Sequence, residues 1–252
     1  MRFASLGSGS KGNATLVQAG DTLVMVDCGF SLRESTKRLA RLGVDPGHLD
    51  AILVTHEHTD HCSGVAALSR KHSVPVYLTH GTSGSGRCDG CFEMRRFNCE
   101  DEFDIGGLQV KAVAVPHDAA EPCQYRFSWE GKTLGLLTDL GSITPHVVDN
   151  YRQCHGLLLE FNHDLPMLMA GDYPYPLKRR VGGDWGHLNN DQAVALLEQM
   201  DREGLARLVV AHVSENNNCR HKTEQALLSV LESLDSVVWA DQAEGFDWLV
   251  LP

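Results

Sequence analysis

Apolar positions along this chain fall into short runs separated by polar or glycine-rich turns, a pattern of strands with a few amphipathic helices between them. The opening reads as strand (Arg2–Leu6), glycine-rich turn (Gly7–Gly12), strand (Ala14–Gln18) and strand (Thr22–Asp27). Leu32–Leu42 reads as a helix, with apolar residues at 32, 39 and 42 and charges between them. Ala51–Thr55 is a short apolar strand, followed by strands near Val74–Leu78, Leu108–Val115, Gln124–Trp129 and Thr133–Thr138. The last third alternates a strand (Leu157–Phe161), a helix (Asp191–Met200), a strand (Arg207–His212) and a helix (Lys222–Ser233), and closes with strands near Val237–Ala240 and Phe246–Val250. Two groups of strands with helices interposed predict an α/β fold in which two sheets pack face to face with helices outside.

The length of 252 residues suits one domain spanning 1–252, and no repeat, low-complexity tract or proline-rich linker marks a boundary. No run approaches a membrane span, and the first residues lack the regions of a signal peptide, so the expectation is a cytoplasmic protein with no membrane partner. The eight cysteines are scattered through a chain that needs no staples and read as reduced thiols; Cys88-Asp-Gly-Cys91, with Cys99 nearby, reads as incidental thiols in a variable loop. A formal charge of −11 argues against a broad electrostatic footprint for nucleic acid, though not against a local one.

Thirteen histidines change the picture through their grouping. His56-Glu57-His58-Thr59-Asp60-His61 follows directly on the strand ending at Thr55, so its side chains gather at a strand's carboxyl end, where α/β sheets place their sites. Imidazoles and carboxylates in this density suit Zn²⁺, Mn²⁺ or Fe. Six residues cannot complete two coordination shells, and three later candidates share one placement, a ligand type ending an apolar strand: His117 after Val113–Pro116, Asp139 after Leu134–Thr138, and His212 after Leu208–Ala211. Histidines 48, 72, 80, 146, 155 and 221 have no partner at ligand spacing and read as ordinary surface or core residues.

HxHxDH followed by spaced His, Asp and His resembles the metallo-β-lactamase superfamily, and the resemblance covers nearly the whole chain. It implies a four-layer αββα sandwich with two divalent metal ions, one held by His56, His58 and His117, the other by Asp60, His61 and His212, with Asp139 bridging. Within that superfamily Ser5–Asn13 is similar to the SLxSGSxGN signature of the YycJ/WalJ-like proteins, as are Val26–Ser31, Glu160–Asp164, Tyr175–Lys178, Gly186–Asn190 and His212–Asn217. The family pattern usually has Ser where this chain has Lys11 and Asn189, and LS rather than VS after His212. The resemblance implies a metal-dependent hydrolase, described in that family as a 5′–3′ exonuclease on DNA.

Two ions about 3.5–4 Å apart can hold a bridging hydroxide as nucleophile and stabilise the departing charge of a phosphodiester; the resemblance, not the residues, makes DNA a better candidate substrate than RNA. Asp60 is the catalytic metal ligand expected from this reading, and the leaving oxygen needs a proton that none of the seven ligands is free to give. His187, just before a helix that Asn189 or Asn190 could cap, is the candidate donor, and similar phosphodiesterases of the fold place a non-ligand histidine at about this point. His163 is a candidate rim residue orienting substrate, and Ser8, Ser10 and Asn13 of the glycine-rich turn are candidate substrate contacts. Lys178-Arg179-Arg180, the only compact basic run, lies just before His187; such runs are usually a solvated face, but this one could hold a phosphate locally. The alternatives are a phosphodiesterase of small cyclic or linear esters and a thioester hydrolase. His58 stands where di-iron electron-transfer relatives usually carry Glu, and no ligand is missing as a regulatory descendant would require. No obligate protein partner is evident.

Overall fold

The computed structural model describes all residues, Met1–Pro252. The first half runs β1 (Arg2–Gly7), β2 (Ala14–Ala19), β3 (Thr22–Val26), α1 (Leu32–Arg41), β4 (Ala51–Leu53), α2 (Thr59–Cys62), α3 (Val65–His72), β5 (Val76–Thr79), α4 (His80–Gly84) and β6 (Met94–Phe97). Then come β7 (Glu102–Ile105), β8 (Leu108–Ala114), β9 (Cys123–Trp129), β10 (Lys132–Leu137), α5 (Pro145–Tyr151), β11 (Gly156–Glu160), α6 (Leu165–Ala170) and α7 (Tyr175–Val181). The chain ends with α8 (Asn190–Gln199), β12 (Arg207–Ala211), α9 (Arg220–Leu227), β13 (Val237–Trp239) and β14 (Phe246–Val250).

The strands form two seven-stranded sheets, ordered β14-β1-β2-β3-β4-β5-β6 and β13-β12-β11-β10-β9-β8-β7. Each is mixed: β3 to β6 and β10 to β13 pair in parallel, and the remaining neighbours pair antiparallel. Side-chain alternation explains the layering, because successive residues of a strand point to opposite faces. In the first sheet Val24, Val26 and Leu53 join a cluster with Leu134, Leu136, Leu158 and Val209 of the second, so this core lies between the sheets. Met25 and Ile52, on the other face, pack with Leu39 of α1 and Leu68 of α3. Leu157, Leu159 and Val210 of the second sheet pack with Val148 of α5, Leu196 of α8 and Leu227 of α9. Three apolar spaces separating four layers give the expected αββα sandwich, and both faces of the parallel strands are apolar for that reason.

Local chemistry marks the helix starts. Ser31 caps α1 by accepting from the Glu34 backbone N–H, and Leu39 turns fully inward from it; Leu39→Ala would cost about 2–5 kcal/mol. Asn189, rather than Asn190, caps α8 in a reciprocal capping box with Gln192. Periodicity did not predict α2 to α7, nor β6 and β7. Helices α6 and α7 are six and seven residues long and bury little more than Leu168, so they carry no apolar stripe. Strands β6 and β7 are the outer edges of their sheets and alternate with charge. Helix α9 stops at Leu227, short of the expected Ser233. No helix is long and apolar enough to cross a membrane.

Candidate metal centre

Six strand ends deliver polar side chains to one edge of the sandwich. Strand β3 leads into Asp27, β4 into Thr55 and His56, β8 into His117, β10 into Asp139 and β12 into His212, while β11 ends on Glu160 itself. Asp27, Asp139 and His212 leave their strands in the left-handed region, with φ of 60°, 54° and 51°. Each such residue costs on the order of 1–3 kcal/mol, and strain of this kind gathers at functional sites.

Potential ligand atoms lie within 4.8 Å of one another in four overlapping sets: His56, His58 and His117; Asp60, His61 and His212; His56, His61 and Asp139; and Asp139, Glu160, His187 and His212. Asp139 Oδ2 lies 3.1 Å from His61 Nε2, so its carboxylate stands between the first two sets. The loop bearing Asp60 and His61 is stitched to the β3 end: Asn13 N–H donates to Asp60 O (2.8 Å) and Cys28 N–H to His61 O (2.8 Å). Gly29 allows this approach, because a Cβ there would meet Asp60 O at 1.7 Å.

Hydrogen bonds at the back of the rings select the tautomers. Nδ1 of His56 faces Thr55 Oγ1 (3.0 Å), Nδ1 of His61 faces Asp27 Oδ2 (2.8 Å), Nδ1 of His117 faces Gly186 O (2.9 Å) and Nδ1 of His212 faces Glu160 Oε1 (2.8 Å). With the proton on Nδ1, each ring offers an Nε2 lone pair to the centre. His58 differs, since its Nδ1 points inward, 3.3 Å from His117 Nε2. His56 Nε2, His212 Nε2 and Asp139 Oδ2 are buried without a hydrogen-bond partner. Orphaned acceptors within clusters of potential ligands are what a bound cation would satisfy. Asp27, Asp60, Asp139 and Glu160 would bring four negative charges, which two divalent ions would balance. The donor set therefore fits two such ions.

Burial opposes ionisation of Asp139, but the His212 and His61 imidazoles beside it hold its carboxyl well below the usual range. Burial and neighbouring His61 push His56 well below an ordinary imidazole, so it is a neutral donor. His187 is not one of the two triads. Its Nδ1 donates to Glu160 Oε1 (2.8 Å) and stands 3.5 Å from Asp139 Oδ1. Burial disfavours its charge, yet Glu160 raises its pKa to about 9; Glu160 in turn is drawn down to about 2, with burial opposing and His187 and His212 prevailing.

Around the centre opens a cleft of about 410 Å³, whose lining residues are mostly polar and include Ser10, Arg87, Asp118, Tyr173, Arg180 and His187. Several residues expected to touch substrate sit elsewhere. Ser8 is buried and its Oγ accepts from the His212 backbone N–H (2.9 Å). Asn13 is buried beneath the ligands, with Nδ2 3.3 Å from Asp60 Oδ2 and 3.0 Å from His61 Nε2. Both position the site from beneath, while Ser10 of the same turn is exposed and lines the cleft. His163 is fully buried with both ring nitrogens unpartnered, and its backbone pairs with Asn189 in an isolated β-bridge. Lys178 Nζ is turned to Met169 O (2.7 Å), and Arg180 is the member of the basic run that lines the cleft, where Asp118 Oδ2 accepts from its Nε. Asp27 and Glu160 were missed as functional residues, although both end apolar strands as His117 and Asp139 do.

The family model described as Beta-lactamase superfamily domain matches residues 22–213. The chain is 30% identical to Exodeoxyribonuclease WalJ of Streptococcus pneumoniae over 247 residues, 95% of this chain and 91% of that protein. It is 31% identical to Exodeoxyribonuclease YycJ of Bacillus anthracis over 239 residues, 92% and 89% of the two chains. In fold it is similar to the metallo-β-lactamase fold protein YhfI from Bacillus subtilis, with a TM-score of 0.76, 16% identity and 99% of both chains covered.

Proposed function

Because the chain belongs to the β-lactamase superfamily and is a metal-dependent hydrolase of that family, we propose that it cleaves phosphodiester bonds from an end of DNA. The observation that carries this reading is the pairing of two abutting ligand triads with a separate, Glu160-backed His187 on the same cleft. Two divalent ions, held by His56, His58 and His117 and by Asp60, His61 and His212 with Asp139 between them, would polarise a phosphoryl group and lower the pKa of water at the site.

The chain's own groups complete the chemistry. Glu160 accepts the Nδ1–H of His187, leaving Nε2 as the atom that meets the leaving oxygen and donates a proton to it. The same carboxylate orients His212 through Oε1 and accepts the Leu188 backbone N–H at Oε2 (3.1 Å), so donor and ligand share one rigid anchor. Arg180, steered by Asp118, supplies a guanidinium to non-bridging phosphate oxygens. The charged and hydrogen-bonding groups on the open cleft, Arg180, His187 and Ser10 among them, suit a charged ester. The names of the two full-length relatives support DNA as the substrate.

The test is incubation with Mn²⁺ or Zn²⁺ and 5′-labelled duplex DNA, single-stranded DNA and RNA, beside bis-p-nitrophenyl phosphate. Stepwise release of nucleotides from DNA, abolished in Asp60→Ala and reduced in His187→Ala, is the expected result. Hydrolysis of the small diester with every polymer intact would refute the nuclease and leave a small-molecule phosphodiesterase.

A further inference from the structure

The segment carrying α6 and α7 holds four of the seven exposed large apolar side chains: Leu165, Met169, Tyr175 and Trp185, against Phe92, Leu228 and Val250 elsewhere. Trp185 is 64% exposed and directly precedes Gly186, which lines the cleft and accepts from His117 Nδ1. The other three tryptophans are covered. Trp239 lies under Arg220, Trp248 lies under Arg2 and donates to Leu42 O, and Trp129 packs on the core between the sheets. Trp185 has neither a ring nor a cation of the chain on its face, and its indole N–H has no acceptor.

Its backbone is nevertheless pinned. Asp184 O accepts from Ser142 Oγ (3.2 Å), Gly186 N–H donates to Gly183 O (2.8 Å) and His187 N–H to Val181 O (2.9 Å). A Cβ on Gly141 would meet the Asp184 carbonyl carbon at 2.4 Å, and one on Gly186 would meet Arg180 O at 2.1 Å. An open indole on a fixed loop, one residue before Gly186 and two before His187 of the cleft wall, is preorganised for a flat partner.

We propose that Trp185 is the stacking platform for an unpaired nucleotide at the end of a DNA strand, with Arg180 holding the adjoining phosphate. This rests on the phosphodiesterase reading and specifies its substrate as a frayed or single-stranded end. Charge favours a contribution from stacking: a chain of net charge −11 gains little long-range attraction for DNA. The cations at hand are Arg87, which lines the cleft, and Lys178, Arg179 and Arg180, of which Asp118 engages one, and Asp172 and Asp184 are exposed on the same segment. Base–aromatic stacking does not depend on charge and is worth about 1–3 kcal/mol per base, roughly a 5- to 150-fold change in affinity.

The probe is a phosphorothioate-linked oligothymidylate, which resists cleavage, titrated into the full-length protein while tryptophan emission is followed. Single strands are expected to quench emission. The quench should largely vanish in Trp185→Phe, whose affinity stays within about threefold of wild type because a phenyl ring still stacks. Trp185→Ala should bind about tenfold more weakly, and its kcat/KM for oligonucleotide relative to bis-p-nitrophenyl phosphate should fall by a similar factor. Equal quenching by a blunt duplex, or an Ala variant that binds and cleaves the oligonucleotide like wild type, would overturn the platform while leaving the nuclease intact. Quenching through Trp185 without hydrolysis of DNA under any metal would keep the platform and refute the nuclease.

Discussion

Replacing Asp27 by asparagine preserves the size of a fully enclosed side chain and changes its hydrogen-bonding pattern. Asp27 Oδ1 accepts from the Thr55 backbone N–H (2.8 Å), while Oδ2 accepts from Thr55 Oγ1 (2.9 Å) and His61 Nδ1 (2.8 Å). The buried Thr55 N–H must keep an acceptor, so in Asp27→Asn the new amide oxygen takes the Oδ1 place and the NH₂ takes the Oδ2 place. That NH₂ has no lone pair for His61 Nδ1–H. The ring must shift its proton to Nε2, the atom that faces Asp60 and Asp139, and an Nε2–H cannot ligate. Losing a carboxylate behind a ligating histidine typically costs 10- to 100-fold in metal affinity, about 1.4–2.7 kcal/mol. The assay is competition for Zn²⁺ against a chromophoric chelator, with thermal unfolding of the metal-stripped variant as a check on folding. Two ions bound as tightly as in wild type, in a folded Asp27→Asn protein, would refute the tautomer argument.

Other substitutions probe different parts of the same design. Gly29→Ala should destabilise by about 1–3 kcal/mol or more and weaken metal binding in the same chelator competition, because its Cβ would strike Asp60 O at 1.7 Å. Arg180→Ala should flatten the salt dependence of DNA binding by about one unit of slope in log Kd against log salt; Lys178→Ala, whose ammonium is turned to Met169 O, should leave that slope unchanged. Chelator treatment should abolish hydrolysis and lower Tm, with Zn²⁺ or Mn²⁺ restoring both. Burial holds His163 at a pKa of about 4, below its unfolded value near 6.5. The unfolded chain then binds the extra proton first, so this residue removes stability as pH falls from 6.5 toward 4, by on the order of 1–3 kcal/mol. His163→Leu should lessen that acid-side slope in denaturant titrations, and an unchanged slope would count against a neutral buried ring.

How much of the site was legible depended on whether its signal was local. His56, His58, Asp60 and His61 stand within one six-residue run, and His117, Asp139 and His212 each end an apolar strand, so strand period and residue type marked all seven. The same reasoning placed the two groups of strands and α1, because burial on both faces of a parallel strand writes a continuous apolar run. Asp27 and Glu160 end strands too, but a lone carboxylate there gives no sign of which ring it will back. That is decided by sheet neighbours: β3 lies beside β4, so Asp27 meets His61, and β11 lies between β10 and β12, so Glu160 meets both His187 and His212. Ser8, Asn13 and His163 went under the site rather than onto its rim, and Arg180 rather than Lys178 turned into the cleft, because each depends on segments distant in sequence closing over or beneath it. Trp185 likewise is one aromatic among four in the sequence, and only packing uncovers it. Sequence alone determined which residue types the strand ends would present. Tertiary structure decided which of those groups face one another, since hydrogen-bond partners, burial and exposure are properties of long-range contacts that no local period encodes.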